Sequence, residues 1–252
     1  MSLLKTHMEP CSLSKKQLNF YDENGYLLLK NIWPKEDIDI LREDVDRYAN
    51  GRFTVYLHSH LDIDSCKSVH RGKKMCDIAD SIYGDRGIPV GSTLFYCKPN
   101  NKEFEHGSTW HQDNYAGRST PGSYLNIAIA IDDADESNGA LMVVSGSHKL
   151  GDLPCNPKPN FARDENGNLY CSAPIGNDCE LPKNLPIVQL KYSAGDVLVV
   201  HGLLVHKAEV NNHPTLWRRT LYTVYVKNNE PFWPGWTSGR KLLDRYDSED
   251  YK

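Results

Sequence analysis

The chain has 252 residues, a formal net charge of −4, 39% hydrophobic residues and 25% charged residues. These values describe a folded globular protein with a sizeable core and exclude a disordered chain, and an all-β barrel of this length can form one domain, here 1–252. The mild acidity gives no general attraction to nucleic acid or to an anionic membrane.

No run of 18 apolar residues offers a membrane span, and the first residues lack the apolar stretch of a signal peptide. Seven cysteines are scattered without a Cys-x-x-Cys. Reduced thiols and a cytoplasmic location fit that pattern better than a disulfide framework or a zinc site.

Ser14-Lys-Lys-Gln17 has the spacing of a capping box, so a helix is expected to open there and to run to about Asn24, with Gly25 as its left-handed exit. Residues 26–30 read as a short strand. Pro34 can begin a helix, and Ile38, Leu41, Val45 and Tyr48 recur at helical spacing over 35–49. A short helix over 76–84 closes a helical N-terminal part, 13–88.

From residue 89 the period becomes extended, with strands expected at 90–98, 109–115, 123–133, 139–144, 187–192, 195–206 and 217–227. Helices followed by a β-rich region, 89–228, imply a mainly β fold with flanking α-helices: a double-stranded β-helix, or jelly roll, of cupin-like form. Residues 149–186 carry Asn-Pro-Lys-Pro-Asn160 and Asp-Glu-Asn-Gly-Asn168 with little periodicity, and are expected to form a lid loop. The tail, 229–252, carries Phe232, Trp233 and Trp236 and could cover a sheet edge, close a pocket or meet another subunit. The chain is expected to be a monomer or a homodimer.

His111-Gln-Asp113 places an imidazole and a carboxylate two residues apart. On an extended strand both would face one way. They would supply two parts of a 2-His-1-carboxylate triad, which leaves positions open on a non-haem iron. His60-Leu-Asp62 has the same spacing but lies outside any clean strand pattern. Downstream, an apolar strand ends in His201 and His206, either able to supply the third ligand. Arg218 and Arg219 open the next strand, so one points inward and one outward. Spacing alone leaves a jelly roll with satisfied buried histidines equally open.

Leu13–Leu27, Trp110-His-Gln-Asp113, Ile131-Asp-Asp133, Glu136-Ser-Asn-Gly-Ala-Leu141, Ser145-Gly-Ser-His148 and Gly195-Asp-Val-Leu198 follow one another in the order found in a known family. So do His206, Asn211 and Arg218, the arginine arriving one residue late. Over residues 13–226 the sequence resembles the phytanoyl-CoA dioxygenase (PhyH) family of iron- and 2-oxoglutarate-dependent oxygenases. The resemblance implies His111, Asp113 and His206 as ligands of Fe(II), with His201 packed beside the site. It implies 2-oxoglutarate and O2 as co-substrates, ascorbate as a possible reductant, and Arg218 as the anchor of the far carboxylate of 2-oxoglutarate, with Arg219 as fallback. Asn126 and Lys98 are further co-substrate candidates.

Two positions depart from the family pattern: Ala208 stands where Ser is frequent, and Asn126 where Thr is frequent. Asp113 disfavours halogenation, since related halogenating enzymes lack that carboxylate. Hydroxylation is the default reaction, with desaturation or oxidative cyclisation also open. Asn114, Tyr115, Arg118 and Trp233 are candidates for contacting a small anionic or amino-acid-like substrate. The competing readings are an acyl-CoA or lipid hydroxylase, a non-catalytic metal-binding jelly roll, and a metal hydrolase that would need a spare carboxylate as base. His148 and the acidic run 132–136 read as turn and surface.

Overall fold

The computed structural model describes residues 4–50, 55–100, 109–163, 169–234 and 239–247. The first helix, α1 (Lys15–Asn24), starts as its capping box requires: Ser14 N–H donates to Gln17 Oε1 at 2.8 Å, and Gln17 N–H donates to Ser14 Oγ at 3.3 Å. It ends on Gly25 at φ 78°, where a Cβ would also meet the His148 ring 2.4 Å away. Strand β1 (Tyr26–Leu29) follows, then α2 (Lys35–Ala49). Ile38, Leu41, Val45 and Ala49 form the buried stripe of α2. Each of the three larger side chains contributes about 1.5–3 kcal/mol by leaving water.

Strand β2 (Val55–Leu57) and helices α3 (Asp64–Arg71) and α4 (Lys73–Tyr83) complete the helical part. The β-rich part holds β3 (Gly87–Cys97), the single turn α5 (Asn114–Gly117), β4 (Tyr124–Ala130), β5 (Leu141–Val144), β6 (Cys155–Arg163) and β7 (Leu169–Cys179). It ends with β8 (Ile187–Gln189), β9 (Val197–His201), β10 (His206–Ala208) and β11 (Arg218–Lys227).

A major sheet orders its strands β1-β9-β4-β11-β3-β2, and a minor sheet orders them β10-β5-β8. Alternation divides the residues of the major sheet between two cores. Leu94, Tyr96, Ile127, Ile129, Val197, Val199 and Leu221 pack outward against α2, α3 and α4. Ala128, Ala130, Leu198 and Val200 face inward, with Ala140, Leu141 and Val143 around the minor sheet. Two sheets enclosing one core, with helices on one outer face, form the expected jelly roll.

Three expectations need correction. Residues 109–115 are not a strand: His111 makes one isolated bridge to His206, and the chain turns into α5 at Asp113. The stretch 195–206 is two strands in different sheets. The corner between them buries Leu203, Leu204 and Val205, so its apolar content imitates a continuous strand. The expected loop 149–186 contains the antiparallel hairpin β6–β7, whose prolines and polar residues hide it from pattern reading. Helix α3 and strand β2 lie in 50–75, where the sequence shows no clean period.

The tail resolves in part. Residues 239–247 run along β3, with Lys241 N–H donating to Val90 O at 3.3 Å and Leu243 N–H to Pro89 O at 2.9 Å, so this segment covers that edge. Trp236 lies outside the described residues.

Candidate metal centre

His111 and His206 face each other across a reciprocal pair of backbone hydrogen bonds, each 3.0 Å. Their ring centroids are 4.3 Å apart. The Nδ1 atom of His111 lies 2.7 Å from Thr109 O, and that of His206 lies 2.9 Å from Leu204 O. A carbonyl only accepts, so Nδ1 carries the proton on each ring and the Nε2 lone pair is left for a metal.

Asp113 reaches the same point by a different route. Its backbone is helical, at φ −70° and ψ −27°, so the side chain swings back from the head of α5. One carboxylate oxygen lies 3.5 Å from His111 Nε2 and the other 3.4 Å from His206 Nε2. One ligand atom from each residue falls within 4.8 Å of the others, the only such three-ligand group among the described residues.

Burial alone would raise the Asp113 carboxyl, but His206 and His111 outweigh it and hold the group well below the usual carboxylate range. Burial lowers His206, against the pull of Asp113. The side chain of Asn126 donates to Asp113 and so holds the metal carboxylate in place.

Neighbouring residues explain why the ligands sit where they do. Gln112 points away from them and is buried. Its Nε2 donates to Leu203 O at 2.7 Å and Gly151 O at 2.9 Å, and its Oε1 accepts from Leu153 N–H at 2.8 Å. Ser147 Oγ accepts from Val205 N–H at 2.8 Å, which pins the residue before His206. Asn138 Nδ2 donates to Trp217 O at 3.1 Å, and Asn211 Nδ2 donates to Leu216 O at 2.7 Å. Both bonds fix the approach to Arg218.

The two adjacent arginines have opposite surroundings. Arg219 points outward, donating to both oxygens of Asp132 and both of Asp46 at 2.6–2.7 Å. Asp132, expected as surface, is therefore an ion-pair partner. Arg218 points inward and is 9% exposed. Its Nη2 donates to Glu209 O at 3.0 Å and contacts Cys97 Sγ at 3.4 Å, while its buried Nε has no partner. No ion pair joins it to a carboxylate among the described residues. A buried guanidinium with an unused donor has the chemistry to take an anion.

The remaining expected residues are more dispersed. Lys98 follows β3 and is half-buried. Asn114 is buried, and its amide donates to Ser119 O at 3.1 Å and to Asp152 Oδ1 at 3.3 Å. Asn114, Tyr115 and Arg118 line a cleft with Gln112, Asp152 and Leu153 that none of the three ligands lines. The Arg118 guanidinium stacks 5.0 Å from the Trp233 ring centroid.

His60 of the other triplet is buried against Ser92 Oγ at 2.8 Å, while Asp62 accepts from Tyr56. His201 accepts Leu203 N–H at Nδ1 and packs on His148, outside the triad. Sequence reasoning missed Arg240, which lies over the Tyr124 ring at 5.7 Å and close enough to Asp113 to help lower its carboxyl. The tail around Arg240 has no period that would single it out.

A His-Asp-His triad between two sheets, with a buried arginine without an acid at the start of β11, has the form of a metal-dependent jelly-roll oxygenase site. The family model of phytanoyl-CoA dioxygenase (PhyH) matches residues 21–220, and the chain belongs to that family of iron- and 2-oxoglutarate-dependent oxidoreductases.

Phytanoyl-CoA dioxygenase 1 of Oryza sativa subsp. japonica is 25% identical over 256 residues, covering 81% of this chain and 85% of that protein. L-proline trans-4-hydroxylase of Streptomyces griseoviridis is 25% identical over 240 residues, covering 85% and 87%. Among solved structures, the non-haem α-ketoglutarate-dependent carbocyclase SnoK from nogalamycin biosynthesis superposes with a TM-score of 0.69 at 19% identity, covering 95% of this chain and 97% of that one. No described helix is long and apolar enough to cross a membrane.

Proposed function

We propose that His111, Asp113 and His206 bind Fe(II), that Arg218 holds the far carboxylate of 2-oxoglutarate, and that the enzyme oxidises a small anionic or amino-acid-like metabolite with release of succinate and CO2. The observation that carries this reading is the state of Arg218: buried, inward and without an acid, beside an Arg219 that has two. A purely structural metal site would need no such receptor.

The donor set suits the metal. Two imidazoles and one carboxylate on one side leave positions for a chelating co-substrate and for O2. When bound, iron and 2-oxoglutarate supply the oxidising chemistry, and the protein orients the groups and excludes water. Asn126 and the two backbone carbonyls behind the histidines keep the ligand atoms aimed at one point. The planar fork of Arg218 can take a carboxylate through two bonds, which a lysine could not. Hydroxylation is the default outcome for the substrate.

A small acid or amino acid is consistent with the Streptomyces griseoviridis relative, named for proline, whereas the rice relative is named for an acyl-CoA. Acyl-CoA hydroxylation is therefore the second reading. The test is succinate release from 2-oxoglutarate with Fe(II), ascorbate and O2, against pooled small metabolites and, separately, against acyl-CoA. Metabolite-stimulated succinate that vanishes in His206→Ala is expected. Stimulation by acyl-CoA alone would replace the substrate class. Stoichiometric iron with no succinate under any condition would leave a metal-binding protein.

A further inference from the structure

The inner face of the major sheet leads from the metal triad to a second arginine. In register across three strands lie Asn126 on β4, Val224 on β11 and Gly91 on β3. Asn126 touches the metal carboxylate Asp113. Gly91 lies two strands away, about 10 Å at ordinary strand spacing. That span is about the length of a small metabolite. Above Gly91 sits Arg240. A Cβ built on Gly91 would lie 3.4 Å from Arg240 Cγ and 3.5 Å from His58 Cε1, so the missing side chain leaves room for both.

Arg240 is fixed at its backbone and unspent at its head. Its N–H donates to Pro234 O at 3.1 Å, and the next residue bonds to Val90 O on β3. The guanidinium has the Tyr124 ring beneath it at 5.7 Å and no carboxylate partner among the described residues. The other arginine of this tail segment, Arg245, is bound by Asp80 and Asp247. The Arg240 charge is among those that hold Asp113 ionised, and a divalent cation bound there would take up that carboxylate. The positive charge at this end of the site would then be uncompensated.

We propose that Arg240 receives an anionic group of the substrate, so that the enzyme selects an acid over its neutral analogue, the bond to be oxidised lying between Arg240 and the metal triad. The proposal deepens the reading of the site as an iron and 2-oxoglutarate oxygenase and rests on it. The two arginines then divide the anions between them: Arg218 at the start of β11 takes the co-substrate, and Arg240 takes the substrate.

The test is calorimetric titration with matched probes: linear and cyclic monocarboxylic acids, L-amino acids, and the primary amide of each. Titrations use wild type, Arg240→Gln and Arg240→Lys, loaded anaerobically with Fe(II) and saturating 2-oxoglutarate, and repeated on the metal-free protein. Wild type is expected to bind at least one acid about ten-fold or more tightly than its amide, the gain of a charge-assisted hydrogen bond. Arg240→Gln should lose that preference while binding iron as wild type does, and Arg240→Lys should keep part of it. No acid preferred over its amide by wild type, or a preference retained in Arg240→Gln, overturns the proposal.

The visible charge-transfer band of chelated 2-oxoglutarate reports separately on the underlying function. An Arg240-dependent acid preference without that band would sink the oxygenase reading and leave the anion receptor standing. The band without the preference would do the reverse.

Discussion

His60-Leu-Asp62 and His111-Gln-Asp113 share a spacing and nothing else. In the first, a short 3-10 turn buries the imidazole against Ser92 and His70 and sends the carboxylate outward to Tyr56. In the second, a single β-bridge followed at once by a helical residue brings imidazole and carboxylate back to one point, where a histidine from another strand meets them. Spacing alone therefore does not make a metal site. The backbone between the ligands, and a third ligand delivered across a sheet, make it.

The largest contrast is in metal binding. His206→Ala removes one of three ligands and is expected to weaken iron binding by more than about 100-fold, beyond the 10–100-fold typical of residues that only support a ligand. His60→Ala should leave iron stoichiometry unchanged. Anaerobic iron titration checks both, and iron loss in His60→Ala would show that the two triplets are not separate.

The adjacent arginines offer the next contrast. Arg219→Ala strands the mostly buried Asp132 and should cost about 3 kcal/mol of stability, read in a denaturant melt. Arg218→Ala removes a buried charge that has no acid, and should cost far less. 2-Oxoglutarate should raise the melting temperature of metal-loaded wild type and of Arg219→Ala, but not of Arg218→Ala.

Gln112→Leu keeps the volume of the clamp behind His111 and Asp113 but leaves one buried and one part-buried carbonyl and one N–H without their partner. A loss of about 1–3 kcal/mol is expected, with iron affinity lower by about ten-fold. Normal iron affinity in a destabilised Gln112→Leu would mean that the ligands hold their positions without it.

The last contrast is one of pH. Burial, then His58, Arg71 and Lys67, hold His60 neutral down to about 4, and burial does the same to His201. A folded value below the unfolded 6.5 means that the unfolded chain binds more protons between those limits. Stability is therefore full above about 6.5 and is lost as pH falls towards 4, by about 1.4 kcal/mol per pH unit for each such histidine. His60→Gln should flatten that slope in chemical denaturation. An unchanged slope would remove His60 from the acid response.

What could be read from the sequence has a physical logic. The first two helices are legible because local rules decide them: the Ser14–Gln17 box, the Gly25 exit and the apolar stripe of α2. The ligands were legible through the family pattern, and the structure gives that pattern a reason. Ser147, Asn138 and Asn211 each bond to the backbone one or two residues before a functional side chain, so motifs far along the chain set the position of His206 and Arg218.

Where long-range packing decides, pattern reading failed. The corner at residues 202–205 looks like strand because it is apolar, and the strand expected at Asp113 is a helical turn. The bond from Asn126 to the metal carboxylate follows from no local spacing, and Arg240 lies in a tail whose path depends on the β3 edge that it covers.

The most direct test of the central claim is an anaerobic titration of apo protein with Fe(II) and 2-oxoglutarate, followed by visible absorption. The account predicts a weak charge-transfer band in wild type and Arg219→Ala, no band in His206→Ala, and a band in Arg218→Ala that needs at least about ten-fold more 2-oxoglutarate to appear. Iron bound at one equivalent without any band in wild type, or equal 2-oxoglutarate affinity in Arg218→Ala and wild type, would contradict it.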